Sequence, residues 1–121
     1  MTIQFYIFGD VFWNSVIEIS THWSPEVLLS KIHFIEKNFG RKRGKEQYSS
    51  RKIDVDILYF DDLFMETDEL IIPHPHINKR KFVLVPLNEI APKLKHPLFR
   101  LTSIQMLENC MDESVIKKVQ F

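Results

Sequence analysis

The 121-residue sequence predicts a single α+β domain whose sheet is rich in antiparallel strands, with helices packed on it. Three observations carry this. Residues 51–60, RKIDVDILYF, alternate in the two-residue period of a strand. Residues 24–40 hold Leu28, Ile32, Ile35 and Phe39 at helical spacing. The chain has no repeats, low-complexity tracts or interdomain linker, and 121 residues suit one domain with a core of its own.

Taken in order, residues 11–20 (VFWNSVIEIS) mix β-branched and aromatic residues with partial alternation and read as a strand. A helix follows. Ser24 is its expected N-cap, Pro25 suits the first helical position, Glu26 suits the positive helix start, and Gly40 is the expected stop. Residues 41–51 (RKRGKEQYSSR) are polar and lack periodicity, and read as a mobile loop into the next strand. In that strand, Asp54 and Asp56 share one face, continued by Leu58 and Phe60. Residues 61–81 read as a turn, a short extended piece and a proline-punctuated loop. KFVLVPLNEIAP stays open, because Pro86 interrupts a helix unless it stands in the first turn. A short helix in TSIQMLENC and a last strand in VIKKVQF complete the reading.

Composition narrows the function. Net charge is zero, so the molecule as a whole has no general attraction for nucleic acid. There is no apolar run long enough for a membrane span and no leader pattern. A single cysteine, Cys110, cannot close an internal disulfide, and the default setting is a reducing cytoplasm. The basic residues are concentrated: Arg41, Lys42, Arg43, Lys45, Arg51 and Lys52 lie in one stretch, and Lys79, Arg80 and Lys81 in another. Two such loops on a neutral protein suit a compact polyanion.

Two carboxylates on one strand face repel each other unless something positive answers them. Beside clustered arginines they suit a site where Mg²⁺ carries phosphate oxygens, since magnesium takes one or two protein carboxylates and fills its shell with phosphate and water. A solvent-facing pair balanced by Arg51 and Lys52 fits the spacing equally well. His74 and His76 are too few for structural zinc, and a loop histidine donating to phosphate competes with a plain exposed one. Phe12 and Trp13 read as strand aromatics of the core or as a stacking surface. Glu36, beside the helix's apolar stripe, is expected to be solvated. No Walker loop and no GxGxxG are present.

The motifs R-x-x-D-x-D-I-L-x-F, L-I-I-P-H-P-x-x-x-x-R-x-F-V-L-x-P-L-x-E-I-A-P and a following H-P resemble the 6-hydroxymethyl-7,8-dihydropterin pyrophosphokinases of folate biosynthesis. Upstream, FWNSVIEIS, the S-P-E-V-L-L helix and I-E-K-N-F-G-R-K-R are similar to the family's strand, helix and first basic loop, so the match runs from Val11 to Pro97. The resemblance implies a ferredoxin-like fold, ATP as co-substrate, two Mg²⁺ ions and transfer of pyrophosphate to the pterin. It also implies site residues. Asp54 and Asp56 would hold the metals, and Arg41, Arg43, Arg51 and Arg80 the phosphates; of these, Arg41, Arg51, Asp54 and Asp56 would be catalytic. Glu36 and His74 would lie on the nucleotide side, Phe12 and Phe82 would sandwich the pterin, and Asn14 would bond its edge. Tyr48 stands where some members carry a loop tryptophan.

Two departures are expected to matter. Ser49-Ser50 replaces a glycine-proline step, and MTIQFYIFGD matches the family's opening strand, helix and strand poorly, so a shortened member is expected. The implied partners are two small molecules, ATP and the dihydropterin, with a monomer as the default. Rival readings are a nucleotidyltransferase-like use of Asp-x-Asp and a shortened module that binds nucleotide with little catalysis.

Overall fold

The computed structural model describes residues 2–9, 14–40 and 53–115, with the backbone alone described at 2–9, 14, 39–40 and 53–54. Three strands form an antiparallel sheet: β1 (Thr2–Gly9), β2 (Asn14–Ser20) and β3 (Ile53–Phe60), in the spatial order β2-β1-β3. The N-terminal strand is therefore central. It was not assigned from sequence, although TIQFYIFG has the β-branched and aromatic content of a strand. The register places Phe8 opposite Asn14 on one side and Asp54 on the other, and Tyr6 between Val16 and Asp56.

Helix α1 (Pro25–Gly40) begins as expected: the Ser24 hydroxyl accepts from the Val27 N–H at 3.2 Å. Its inner stripe, Leu28 and Ile32, packs with Val55, Ile57, Phe60 and Ile72 into one core cluster. A two-stranded ribbon, β4 (Met65–Glu66) with β5 (Ile71–Ile72), continues from β3 through a turn at Asp61, whose φ is 54°. Then come a 3-10 turn (Ile77–Lys79), helix α2 (Lys81–Ile90) and helix α3 (Ser103–Glu108). These cover the opposite sheet face in a second cluster, where Val83, Leu84, Leu87 and Met106 meet Val16, Leu58 and Tyr59.

One register shift lets β3 serve both clusters. Between Ile57 and Tyr59 the strand gains a residue relative to β1, where Phe5 faces Ile57 and Gln4 faces Tyr59. Before the shift Val55 and Ile57 face α1; after it Phe60 does, while Leu58 and Tyr59 face α2. The expectation that Phe60 continues the face of Asp56 is thereby corrected, because uniform alternation holds only without a bulge.

Pro86 lies inside α2, so the open segment resolves as a helix. A mid-helix proline costs about 3 kcal/mol. Burying Val83, Leu84 and Leu87, each at most 1% exposed, contributes about 1.5–3 kcal/mol apiece and outweighs it. Helix α3 carries a full capping box between Thr102 and Gln105. The expected last strand is not formed at Val115, and its remainder, 116–121, lies outside the described residues, as do the expected loop 41–51 and residues 11–13 of the first expected strand.

Candidate functional site

At the edge of β3 that carries no strand among the described residues, between α1 and the β4–β5 ribbon, lies a cavity of about 310 Å³. Leu29, His33 and Glu36 of α1 form one wall. Val55 and Ile57 form the floor, Asp56 between them lines the rim, and Leu70, Ile71 and His74 form the other wall. Alternation along β3 is the local cause: Val55 and Ile57 go under α1, which leaves the half-buried Asp56 carboxylate at the rim, its side chain 40% exposed.

An edge strand presents unpaired N–H and C=O groups, and here two are answered from outside the sheet. The Leu58 carbonyl accepts from the His74 N–H at 2.9 Å. The Val55 N–H donates to Glu36 Oε2 at 2.8 Å. Glu36 is thus half-buried and bonded to the backbone between the two aspartates, which corrects the expectation of a solvated side chain. Sequence offered no signal for the bond, because it depends on the side chain's reach across 19 positions.

His74 is held in a defined state. Its Nδ1 accepts from the His76 N–H at 3.1 Å, which leaves Nε2 as the protonated nitrogen of the neutral ring. Nε2 stands 3.8 Å from Asp56 Oδ2, too far for a hydrogen bond. Burial lowers its pKa, with the charges of Arg80 and His76 acting in the same direction and Asp56 opposing them. A neutral Nε2–H donor therefore stands beside the carboxylate.

Arg80 closes the 3-10 turn and starts α2, with its guanidinium 5.8 Å from the centre of the Phe82 ring. Phe82 is half-buried against the α2-side cluster. The sheet register sets Asn14 and Asp54 in one row across β1, two strand spacings or about 10 Å apart. The structure thus gathers Glu36, Asp56 and His74 around one cavity, keeps Arg80 near His74, and aligns Asn14 with Asp54. Phe12, Arg41, Arg43, Tyr48 and Arg51 lie outside the described residues.

Among the described residues no group of three or more histidines, cysteines or acids could hold a metal by itself. A rim carboxylate with open space before it suits an ion that draws most of its ligands from phosphate and water. Among the described residues no helix is long and apolar enough to cross a membrane.

Residues 4–92 match the family model described as 7,8-dihydro-6-hydroxymethylpterin-pyrophosphokinase. The match takes in most of β1, which the sequence reading had set outside it. The chain is 42% identical over 89 residues to the 2-amino-4-hydroxy-6-hydroxymethyldihydropteridine pyrophosphokinase of Aquifex aeolicus, covering 74% of this chain and 55% of that protein. It is 40% identical over 95 residues to the protein of the same name from Synechocystis, with 78% and 48% covered. A folic acid synthesis protein of Dictyostelium discoideum, FOL1, is 41% identical over 106 residues, with 88% of this chain but 16% of that protein covered. The chain thus spans about half the length of the Aquifex and Synechocystis relatives.

Proposed function

The chain belongs to the 7,8-dihydro-6-hydroxymethylpterin-pyrophosphokinase family, and from that premise we propose that it moves pyrophosphate from MgATP to the hydroxymethyl group of the dihydropterin. The observation that carries the proposal is the Asp56 rim: a carboxylate open to a cavity beside a neutral histidine, on a strand tied by Glu36. In the reaction the pterin hydroxymethyl oxygen attacks the β-phosphorus, the bond from that phosphorus to the α,β-bridging oxygen breaks, and AMP leaves. The hydroxyl proton passes to water.

Such transfers depend on positioning and charge neutralisation. Asp54 and Asp56 would hold the magnesium, two ions in this reading, and when bound the metal supplies positive charge against the phosphates. The Glu36 bond to Val55 keeps the backbone between these carboxylates fixed. His74 offers Nε2–H to a nucleotide oxygen without bringing a charge. Arg41, Arg43, Arg51 and Arg80 are assigned to the phosphates, with Arg41 and Arg51 catalytic beside the aspartates. Phe12, Phe82, Asn14 and Tyr48 are assigned to the pterin. The same proposal takes residues 1–121 as one pyrophosphokinase-type domain with a ferredoxin-like plan, working as a cytoplasmic monomer without nucleic-acid or membrane partners. The antiparallel sheet with α1 laid against β3 supports that plan.

Calorimetry with a non-hydrolysable MgATP analogue, alongside an AMP-release assay with dihydropterin, tests it. Asp54→Ala and Asp56→Ala should each weaken magnesium-dependent binding by at least about tenfold, or 1.4 kcal/mol, while the fold persists. Variants that bind MgATP like the parent would remove the metal role.

A further inference from the structure

The first turn of α2 carries Arg80 and Phe82 but has no local cap. Arg80, at the cap position, makes no side-chain cap hydrogen bond, and the turn contains no acidic residue. Helix starts leave N–H donors without intrahelical partners. Here the donor of Lys81 is answered from 31 positions downstream: Asp112 Oδ2 accepts from it at 3.0 Å. The other oxygen, Oδ1, accepts from the Ser114 N–H at 2.9 Å and from the Ser114 hydroxyl. Each oxygen thus has its own donor, and a negative charge at a helix start also suits the helix dipole. The segment is anchored just upstream, where α3 sets Met106 into the cluster that holds Val83 and Leu84.

We propose that Asp112 is a positioning residue: it fixes the first turn of α2, and through it the placement of Arg80 and Phe82 toward phosphate and pterin. This rests on the roles assigned to those two residues above. The acceptor atom, rather than the charge alone, is what the geometry requires, because the contact is one directed hydrogen bond to a backbone N–H.

The test uses the full chain with Asp112→Ala, Asp112→Asn and, as a control, Thr102→Ala. Binding of the dihydropterin is followed by its fluorescence, binding of the MgATP analogue by calorimetry, and exchange of the Lys81 amide by NMR. Asp112→Ala should speed Lys81 exchange and weaken pterin binding about tenfold, while asparagine, whose one amide oxygen can face the Lys81 N–H with its NH2 turned to the Ser114 hydroxyl, should lose clearly less than alanine. Thr102→Ala removes the α3 cap and should lower the melting temperature without moving either affinity. If the alanine variant does not fold, Ser114→Ala, which removes one donor orienting the carboxylate, should show the same loss in smaller measure. Parent-like binding by Asp112→Ala, or an asparagine variant as impaired as alanine, would overturn the proposal. A parent chain that binds neither ligand would overturn the site assignment beneath it, and the unmutated protein alone reveals that case.

Discussion

Replacing Glu36 with alanine removes the acceptor of the Val55 N–H, a 2.8 Å bond from a carboxylate to a half-buried backbone donor. A hydrogen bond to a charged group contributes about 1.5–3 kcal/mol, and among the described residues no neighbouring strand stands on that edge to replace it. At about 4 °C per kcal/mol for a domain of this size, the melting temperature should fall by about 6–12 °C. Glu36→Gln keeps an oxygen in place and gives up only the charge assistance, so its loss should be about 1 kcal/mol or less. Thermal unfolding gives the totals, and amide exchange locates them, with Val55 accelerated in the alanine variant and little changed in the glutamine variant. MgATP affinity should fall as the exchange rate rises, since the loosened backbone lies between Asp54 and Asp56. An alanine variant within about 1 °C of the parent, with Val55 still slow, would refute the claim that this carboxylate holds the strand.

Two further outcomes follow from groups away from the cavity. The Tyr59 hydroxyl is buried with no hydrogen-bond partner among the described residues, and burial raises its pKa well above the ordinary value. Tyr59→Phe should therefore be neutral or stabilise by up to about 2 kcal/mol in chemical denaturation, and a clear loss would reveal a partner for the hydroxyl. His96 is 3% exposed, stacks on Phe99 at 4.1 Å, and accepts from the Leu98 and Phe99 N–H groups at Nδ1. Burial lowers its pKa below 6.5, so the unfolded chain takes up the proton first as pH falls. Stability present above about pH 6.5 should be lost below it, and His96→Asn should flatten that slope in melting curves; an unchanged slope would exclude His96 as its source.

Sequence showed what local rules govern. The Ser24-Pro25 start of α1, the Leu28 and Ile32 part of its stripe and the short helix in TSIQMLENC are set by neighbours within four positions, whereas Ile35, expected on the same stripe, is 42% exposed. The aspartate strand was legible from alternation, and the motif resemblance pointed to the family that the comparisons show. What escaped was non-local. The bulge that turns Phe60 toward α1 is decided by pairing with β1, the helix through Pro86 by burial of Val83, Leu84 and Leu87, and the Glu36 and Asp112 bonds by approaches across 19 and 31 positions. A glutamate on a helix flank and an aspartate in an irregular tail give no periodic signal.

The central place of β1 also bears on how the sheet assembles. Strands β1 and β2 can meet as a hairpin across a short connection, whereas β3 must cross more than thirty residues to reach the other edge of β1. Closing that longer loop demands its entropy before the pairing repays it. The hairpin is thus the natural early product, and the docking of β3 the slow event. Because β3 contributes Leu58 and Tyr59 to one hydrophobic cluster and Val55, Ile57 and Phe60 to the other, and also carries both aspartates, the core on either side and the phosphate rim would come into being together, late, in one cooperative step.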